Sequence, residues 1–275
     1  MTEPAEHRPA GRPPVAAGLR LSLTTLTVLP LPAGRVDRRT AAAAMAWAPA
    51  VGLALGAVLA AVAWALTGLG LAPLPSAAVL VALLALLTRG LHLDGLADTF
   101  DALGSYTAAD RALAIMKSPE AGPLGVSAIA AVLLADAAAL SALVARHGWL
   151  LIAAGVAIGR LGITLCCARP FPAARPDGLG ALVAGTVPVP ACAAWALGLI
   201  VIGAVAGRVT GTAESSWPGS DWVRAVLAVL LAGAAVLLLA RQCVRRFGGV
   251  TGDVLGAACE LGTALALIVL SCASR

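Results

Sequence analysis

Three aspartates follow one another at helical spacing in the segment Leu91–Asp101. Asp94, Asp98 and Asp101 are four and three residues apart, so on an α-helix they fall within roughly 60° of one face. Carboxylates this close repel one another unless positive charge lies between them, and a divalent cation is the usual source of that charge. The solvated end of a membrane helix is the alternative. We interpret all three as magnesium ligands and Asp94 and Asp98 also as catalytic residues.

A histidine stands two positions before the first of these acids. On a helix, His92 lies on the face opposite to Asp94. It is a candidate catalytic acid–base residue, and a packed or interfacial histidine is the other interpretation.

A second candidate group precedes the last apolar stretch, where residues 248–253 read Gly-Gly-Val-Thr-Gly-Asp. Glycines permit close backbone approach, and a helix N-terminus attracts anions. The segment is therefore a candidate phosphate-binding turn, and an ordinary turn capped by Thr251 or Asp253 is the alternative. The candidate phosphate ligands here are Arg245, Arg246, Gly248, Gly249, Thr251, Gly252 and Asp253.

Four other basic residues are candidate phosphate ligands. Arg111 and Lys117 lie in a short amphipathic stretch, where contact with lipid phosphates explains them equally well. Arg160 falls inside an apolar stretch, where an arginine is rarely idle. It is a candidate either to bind phosphate or to neutralise the acidic face. Arg175 lies in a loop that is rich in proline and glycine.

The elements that must position these residues are membrane helices. The chain is 60% hydrophobic and 12% charged, whereas a soluble domain is about 45–50% apolar and about 25% charged. The composition predicts an all-α polytopic integral membrane bundle, with residues 1–14 as a disordered polar tail and 15–275 as one catalytic membrane domain. Residues 15–32 are predicted to form an interfacial or re-entrant segment. Seven spans are predicted, at 41–70, 76–93, 124–145, 149–168, 188–208, 222–243 and 254–273.

The distribution of Lys and Arg predicts the orientation of the bundle. The N-terminal region and loops 94–123, 169–187 and 241–253 are more basic than the loops that alternate with them, so they are predicted to be cytoplasmic. This clustering beside apolar spans explains the net charge of +5 without a nucleic-acid partner. All three loops that carry candidate residues then share one face, where they can build one site.

Four motifs, in their order and spacing, resemble the cobalamin synthase family over about residues 17–270. They are His-x-Asp-Gly-Leu-Ala-Asp-Thr-x-Asp at 92–101, Ile-Met-Lys at 115–117, Arg-x-x-Gly-Leu-Gly at 175–180, and Gly-Gly-Val-Thr-Gly-Asp-Val-Leu-Gly-Ala at 248–257. The resemblance implies adenosylcobinamide-GDP ribazoletransferase activity. A hydroxyl of α-ribazole, or of its 5′-phosphate, attacks the cobinamide-linked phosphorus of adenosylcobinamide-GDP, and GMP leaves. One departure is Ser118-Pro119-Glu120, where the family often has Asp-Ser-Arg.

The resemblance also implies magnesium as the metal. The charge of the loops predicts an active site on the cytoplasmic face of the cell (inner) membrane. The expected partners are the two substrates and the lipid bilayer, with a homo-oligomer or an assembly with other cobalamin-pathway enzymes also considered.

Two other functions are weighed against this one. A CDP-alcohol phosphatidyltransferase-like enzyme shares an Asp-Gly-x-x-Ala motif but has Arg after the Ala, where this chain has Asp98. An ion-coupled transporter places its charges near the midplane of repeated halves, whereas these acids stand at the ends of spans.

Overall fold

The computed structural model describes residues 15–32, 34, 36–209 and 220–272. The predicted tail 1–14 lies outside the described residues. Those described form twelve α-helices and no β-strand: α1 (Val15–Leu26), α2 (Arg38–Ala46), α3 (Ala48–Gly68), α4 (Pro73–Leu87), α5 (Leu91–Gly104), α6 (Ala109–Ile115), α7 (Pro123–Ala145), α8 (Trp149–Cys166), α9 (Gly178–Val183), α10 (Val189–Val209), α11 (Ser220–Phe247) and α12 (Gly252–Ser271).

Six of these helices, α3, α7, α8, α10, α11 and α12, are long and apolar enough to cross a membrane. Helices α4 and α5 pass the same test only together, with a bend of 88° between them, so the number of spans reaches seven when they count as one broken span. The predicted all-helical membrane bundle is confirmed. The short helix α1, which packs on α2, lies within the segment predicted as interfacial or re-entrant.

The predicted span 41–70 is broken at Trp47, which ends α2 and precedes α3. Pro49 stands in the first turn of α3, where its missing N–H costs no hydrogen bond. Trp195 packs edge-on against Trp47, with ring centroids 6.0 Å apart, and donates from its indole nitrogen to the Ala46 carbonyl at 2.7 Å. The proline therefore begins a new helix instead of kinking a continuous one.

The predicted span 76–93 is broken as well, because α4 ends at Leu87. Arg89 and Gly90 both adopt left-handed backbone conformations, with φ of 56° and 65°, and the chain turns through 88° before α5 begins. The three aspartates consequently lie on a helix of their own, set across the bundle instead of continuing α4.

Helices α8 and α12 form the centre of the bundle, and most of their residues are buried. Small residues allow the backbones to approach closely, as is typical of membrane helices. A Cβ atom at Gly56 of α3 would lie 2.5 Å from the Ala153 Cα of α8, so only glycine fits there. This tight packing holds α12, whose first turn carries part of the site, in a fixed position.

The basic loops meet at one end of the bundle. Arg175 donates to the Leu113 carbonyl of α6 at 2.6 Å, and Arg246 donates to a carbonyl just before α6 at 3.3 Å. At the opposite end Arg146 donates to the carbonyl of Ser271, the last residue of α12. The loops 94–123, 169–187 and 241–253 therefore share one face, as their charge pattern predicts.

Candidate active site

The site forms where α5 crosses the start of α12. A Cβ atom at Gly95 would lie 2.6 Å from the Asp253 carbonyl oxygen and 3.0 Å from its Cα atom. One turn further along α12, a Cβ atom at Gly256 would lie 3.0 Å from the His92 carbonyl oxygen. The contact at Gly95 is shorter than real Cβ atoms show and that at Gly256 is tighter than most, so the two glycines set the distance between the helices. The crossing places Asp94 and Asp98, which flank Gly95 on the same helix, beside the first turn of α12.

Negative charge accumulates at this crossing. Asp98 is half-buried and interacts electrostatically with Asp94, Asp101 and Asp253, while Arg175 supplies the opposing positive charge. One arginine against four carboxylates leaves the site strongly anionic. An additional cation would therefore be stabilised there.

Asp253 is held by the cap of its own helix. Thr251 is the N-cap of α12 and accepts a hydrogen bond from the Val254 amide at 3.3 Å. Its hydroxyl lies 3.1 Å from Asp253 Oδ2, to which it donates. Thr251 thus caps the helix, as the alternative interpretation of the turn predicts. The hydrogen bond from its hydroxyl also holds the Asp253 carboxylate at the site.

Asp101 has a structural role that its spacing does not predict. Its two carboxylate oxygens accept hydrogen bonds from the amides of Gly122 at 2.6 Å and Gly125 at 2.8 Å, which are the N-cap and third residue of α7. These are the amides that a helix N-terminus leaves without an internal partner. Asp101 therefore fastens α7 to α5, while Asp253 adds a carboxylate from α12 to those of Asp94 and Asp98.

His92 is buried beneath the crossing, with its Nδ1 atom 3.9 Å from Glu260 Oε1. Among the described residues, only His92, Cys259 and Glu260 form a group of three whose potential ligand atoms all lie within 4.8 Å of one another. The Arg160 guanidinium interacts electrostatically with all three side chains. This fixed positive charge opposes a metal ion, so we interpret the group as a buried polar cluster.

Arg160 does not reach the cavity at the site. It is fully buried in the bundle, donates to Thr263 Oγ1 at 3.2 Å, and interacts with the buried carboxylates of Asp136 and Glu260. Its contacts fit the second role predicted for it, neutralising acids, better than that of a phosphate ligand. The acids that it neutralises are Asp136 and Glu260 inside the bundle, not the aspartates of α5.

A cavity of about 320 Å³ opens beside the crossing. Residues from α1, α2, α5, α8, α9 and α12 line it, together with the loop before α9. The lining includes Thr25, Leu26, Met45, Leu91, His92, Asp94, Ile163, Arg175, Asp177, Gly178, Leu179, Gly180, Val250, Thr251, Gly252, Asp253, Leu255 and Gly256. The sequence did not indicate that Thr25, Leu26, Met45 and Ile163 belong to the site, because they are apolar or small residues far from any motif.

Only part of the predicted phosphate-binding turn faces this cavity. Thr251, Gly252 and Asp253 line it. Gly249 instead packs on the loop before α9, where a Cβ atom would lie 2.4 Å from the Ala173 carbonyl carbon. Gly248 is exposed and turns the chain with a φ of 82°.

Among the predicted basic ligands, Arg175 alone lines the cavity. Arg246 stacks over Tyr106 at 5.6 Å from the ring centroid, and Arg245 is exposed. Lys117 lies 4.0 Å from Asp177 Oδ2, with both side chains exposed. Arg111 is also exposed, and none of these four residues lines the cavity.

The donor set suits magnesium bound together with a substrate phosphate. Mg²⁺ takes one or two carboxylates, retains several water molecules and is completed by phosphate oxygens. Asp94 and Asp98 are carboxylates on one helix face beside Asp253, and Gly252 and Asp253, the first two residues of α12, line the same cavity as Asp94, where a helix N-terminus favours a bound anion. Fold and site thus define a polytopic membrane enzyme that acts on a phosphorylated substrate.

The comparisons with known proteins identify the family. The family model described as "Cobalamin-5-phosphate synthase" matches residues 18–271, and the chain belongs to this family. It is 44% identical over 262 residues to an adenosylcobinamide-GDP ribazoletransferase of Frankia casuarinae. The matched region covers 92% of this chain and 93% of the relative. A Nocardioides relative of the same name is 42% identical over 257 residues, with 93% and 98% covered. No solved structure matches the chain.

Proposed function

We propose that this chain joins α-ribazole, or its 5′-phosphate, to adenosylcobinamide-GDP with release of GMP. The family and the names of the relatives support this transferase activity in cobalamin synthesis, as the sequence motifs predict, over the two alternatives considered. The structural observation that carries the proposal is the close crossing at Gly95, which brings Asp98 together with Asp94 and Asp253, and the latter two line a cavity that Arg175 also lines.

Asp94 and Asp98 would hold a magnesium ion. When bound, the ion supplies positive charge to the diphosphate and to the departing GMP. We leave Asp101 out of this ligand set because each of its oxygens already accepts a hydrogen bond from the start of α7, which holds the carboxylate towards that helix.

The other side chains at the cavity bind and orient the reacting groups. Arg175 offers a planar guanidinium for phosphate oxygens, and the first amides of α12, beginning at Gly252, are preorganised donors for the same oxygens. Asp253 accepts the proton of the attacking hydroxyl. The new bond joins that oxygen to the cobinamide-linked phosphorus, and the bond from this phosphorus to the GMP oxygen breaks.

The chain is a multi-pass membrane protein, and we assign the site to the cytoplasmic face of the cell membrane. The reason is that the more basic loops converge at the end of the bundle that carries the cavity. The homo-oligomer and the assembly with other enzymes of the pathway stay predictions.

The test is conversion by the purified chain in lipid nanodiscs, supplied with adenosylcobinamide-GDP, α-ribazole and Mg²⁺. We expect GMP and a product with the mass of adenosylcobalamin in equal amounts, and neither product when Mg²⁺ is chelated. Omitting α-ribazole separates transfer from hydrolysis. GMP release that does not depend on α-ribazole, or no conversion at all, would contradict the proposal.

A further inference from the structure

The cavity changes character with depth. At its mouth, Asp94 and Asp177 are exposed to solvent. Its inner wall is formed by Leu26, Met45 and Ile163 together with the imidazole of His92, and each of these side chains is at most 4% exposed. One end of a bound molecule therefore meets charge, while the other is enclosed by three apolar side chains and one imidazole.

We propose that this inner apolar wall binds the dimethylated benzimidazole base of the acceptor nucleoside, with the sugar hydroxyl at the charged mouth. The inference rests on the proposed function, since it assigns one of the two substrates to one part of the same site.

Separate helices hold the wall in place. Leu26 comes from the end of α1, Met45 from α2 and Ile163 from α8. Thr164, next to Ile163, donates its hydroxyl to the Met45 carbonyl at 2.8 Å, which ties α8 to α2. Because the three side chains are fixed by packing before any ligand arrives, the wall is preorganised for a rigid apolar group.

The chemistry of the wall distinguishes between the two heterocycles that the reaction brings to the site. Guanine carries several N–H donors and a carbonyl acceptor along its edge, and a wall of three apolar side chains and one imidazole leaves most of these groups without partners. A dimethylated benzimidazole nucleoside has no N–H on its base, and its outer edge consists of two methyl groups. The wall therefore fits the acceptor nucleoside and disfavours the guanosine of the donor.

The size of the cavity supports the same assignment. Its volume of about 320 Å³ lies at the lower end of the range of about 300–1,000 Å³ that ligand sites span. That volume accommodates a nucleoside, but a corrin ring with its side chains and adenosyl group is much larger. The corrinoid consequently stays outside, above Asp94 and Asp177 at the mouth, and only its diphosphate reaches the acids.

The test compares two identical substitutions on one helix. Ile163→Ala shortens a wall residue, and Ile152→Ala removes the same atoms from a fully buried position of α8 that does not line the cavity, about 16 Å away along the helix axis. Equilibrium binding of α-ribazole, of the unmethylated benzimidazole riboside and of GMP is measured for each protein in nanodiscs. Ile163→Val serves as a milder variant of the same side chain.

Ile163→Ala is expected to weaken α-ribazole binding about tenfold. This factor is at the low end of the affinity loss that follows when a methyl or methylene contact is removed from an apolar pocket. It should also reduce the preference for the methylated base and leave GMP affinity unchanged. Ile163→Val should act in the same direction to a smaller extent, and Ile152→Ala should match the wild type. Weakened GMP binding instead, equal effects of the two alanine variants, or no α-ribazole binding by the wild type would overturn the inference. Failure of the proposed function shows separately, as absence of GMP release by a protein that binds α-ribazole as described.

Discussion

Replacing Gly95 by Ala tests the helix crossing that builds the site. The added Cβ atom would lie 2.6 Å from the Asp253 carbonyl oxygen, whereas ordinary contacts begin at 3.4 Å, so α5 and α12 must separate by about 0.8 Å. Both atoms are backbone or directly attached to it, and no side-chain rotation relieves the clash. Misplacing catalytic groups by about 1 Å lowers rates about 100-fold, and we expect a loss of kcat of that order for Gly95→Ala.

The effect on stability is expected to be much smaller. Overpacking costs about 1–3 kcal/mol, and alanine regains about 1 kcal/mol of helix propensity over glycine. The assay is α-ribazole-dependent GMP release alongside thermal unfolding of the same preparations. Gly198→Ala is the matched control, because its Cβ atom would meet no neighbour within 4 Å. A Gly95→Ala protein with wild-type kcat would refute the reasoning that this contact sets the site geometry.

Three further substitutions separate the roles of individual side chains. Asp101→Asn should destabilise the protein by about 1.5–3 kcal/mol, because a carboxylate that accepts two amide hydrogen bonds is lost; thermal unfolding measures this, and a changed Mg²⁺ requirement would instead restore Asp101 as a ligand. Arg160→Leu leaves buried carboxylates without their cation and should cost about 3–5 kcal/mol in unfolding free energy, whereas a stable variant with weak substrate binding would support the phosphate role. Arg175→Lys keeps the charge but loses the planar pair of donors, so the KM for adenosylcobinamide-GDP should rise about tenfold; an unchanged KM in steady-state kinetics would remove Arg175 from the site.

Much of the bundle could be predicted from the sequence because apolar length and loop charge are local signals. They predict the helices around Pro123–Ala145 and Gly252–Ser271, and the convergence of the basic loops at one end. The two breaks were not predicted, because the apolar pattern continues through Trp47 and through Arg89. The left-handed conformation of Arg89 is unusual for a residue with a side chain and has no signature in the sequence.

The site itself could be predicted only where local spacing determines it. Helical spacing placed Asp94 and Asp98 correctly on one face, but it could not show that Asp101 binds amides 21 and 24 residues further along the chain. The glycine turn likewise contributed Gly252 to the cavity, whereas Gly249 is required by packing against a distant loop. Such non-local contacts arise from tertiary packing and leave no periodic pattern.

The most direct test of the acidic site compares Asp98→Asn with Asp177→Asn under saturating substrates and Mg²⁺. Both substitutions keep the size of the side chain and remove one negative charge, but Asp98 is half-buried among the acids of the crossing, while Asp177 is exposed at the mouth. We predict that Asp98→Asn lowers the rate of GMP release by at least 100-fold, a range typical for the loss of one electrostatic contact to the transition state, while Asp177→Asn stays within a few-fold of the wild type. Equal rates for the two variants would contradict the assignment of the reaction to the acids between α5 and α12.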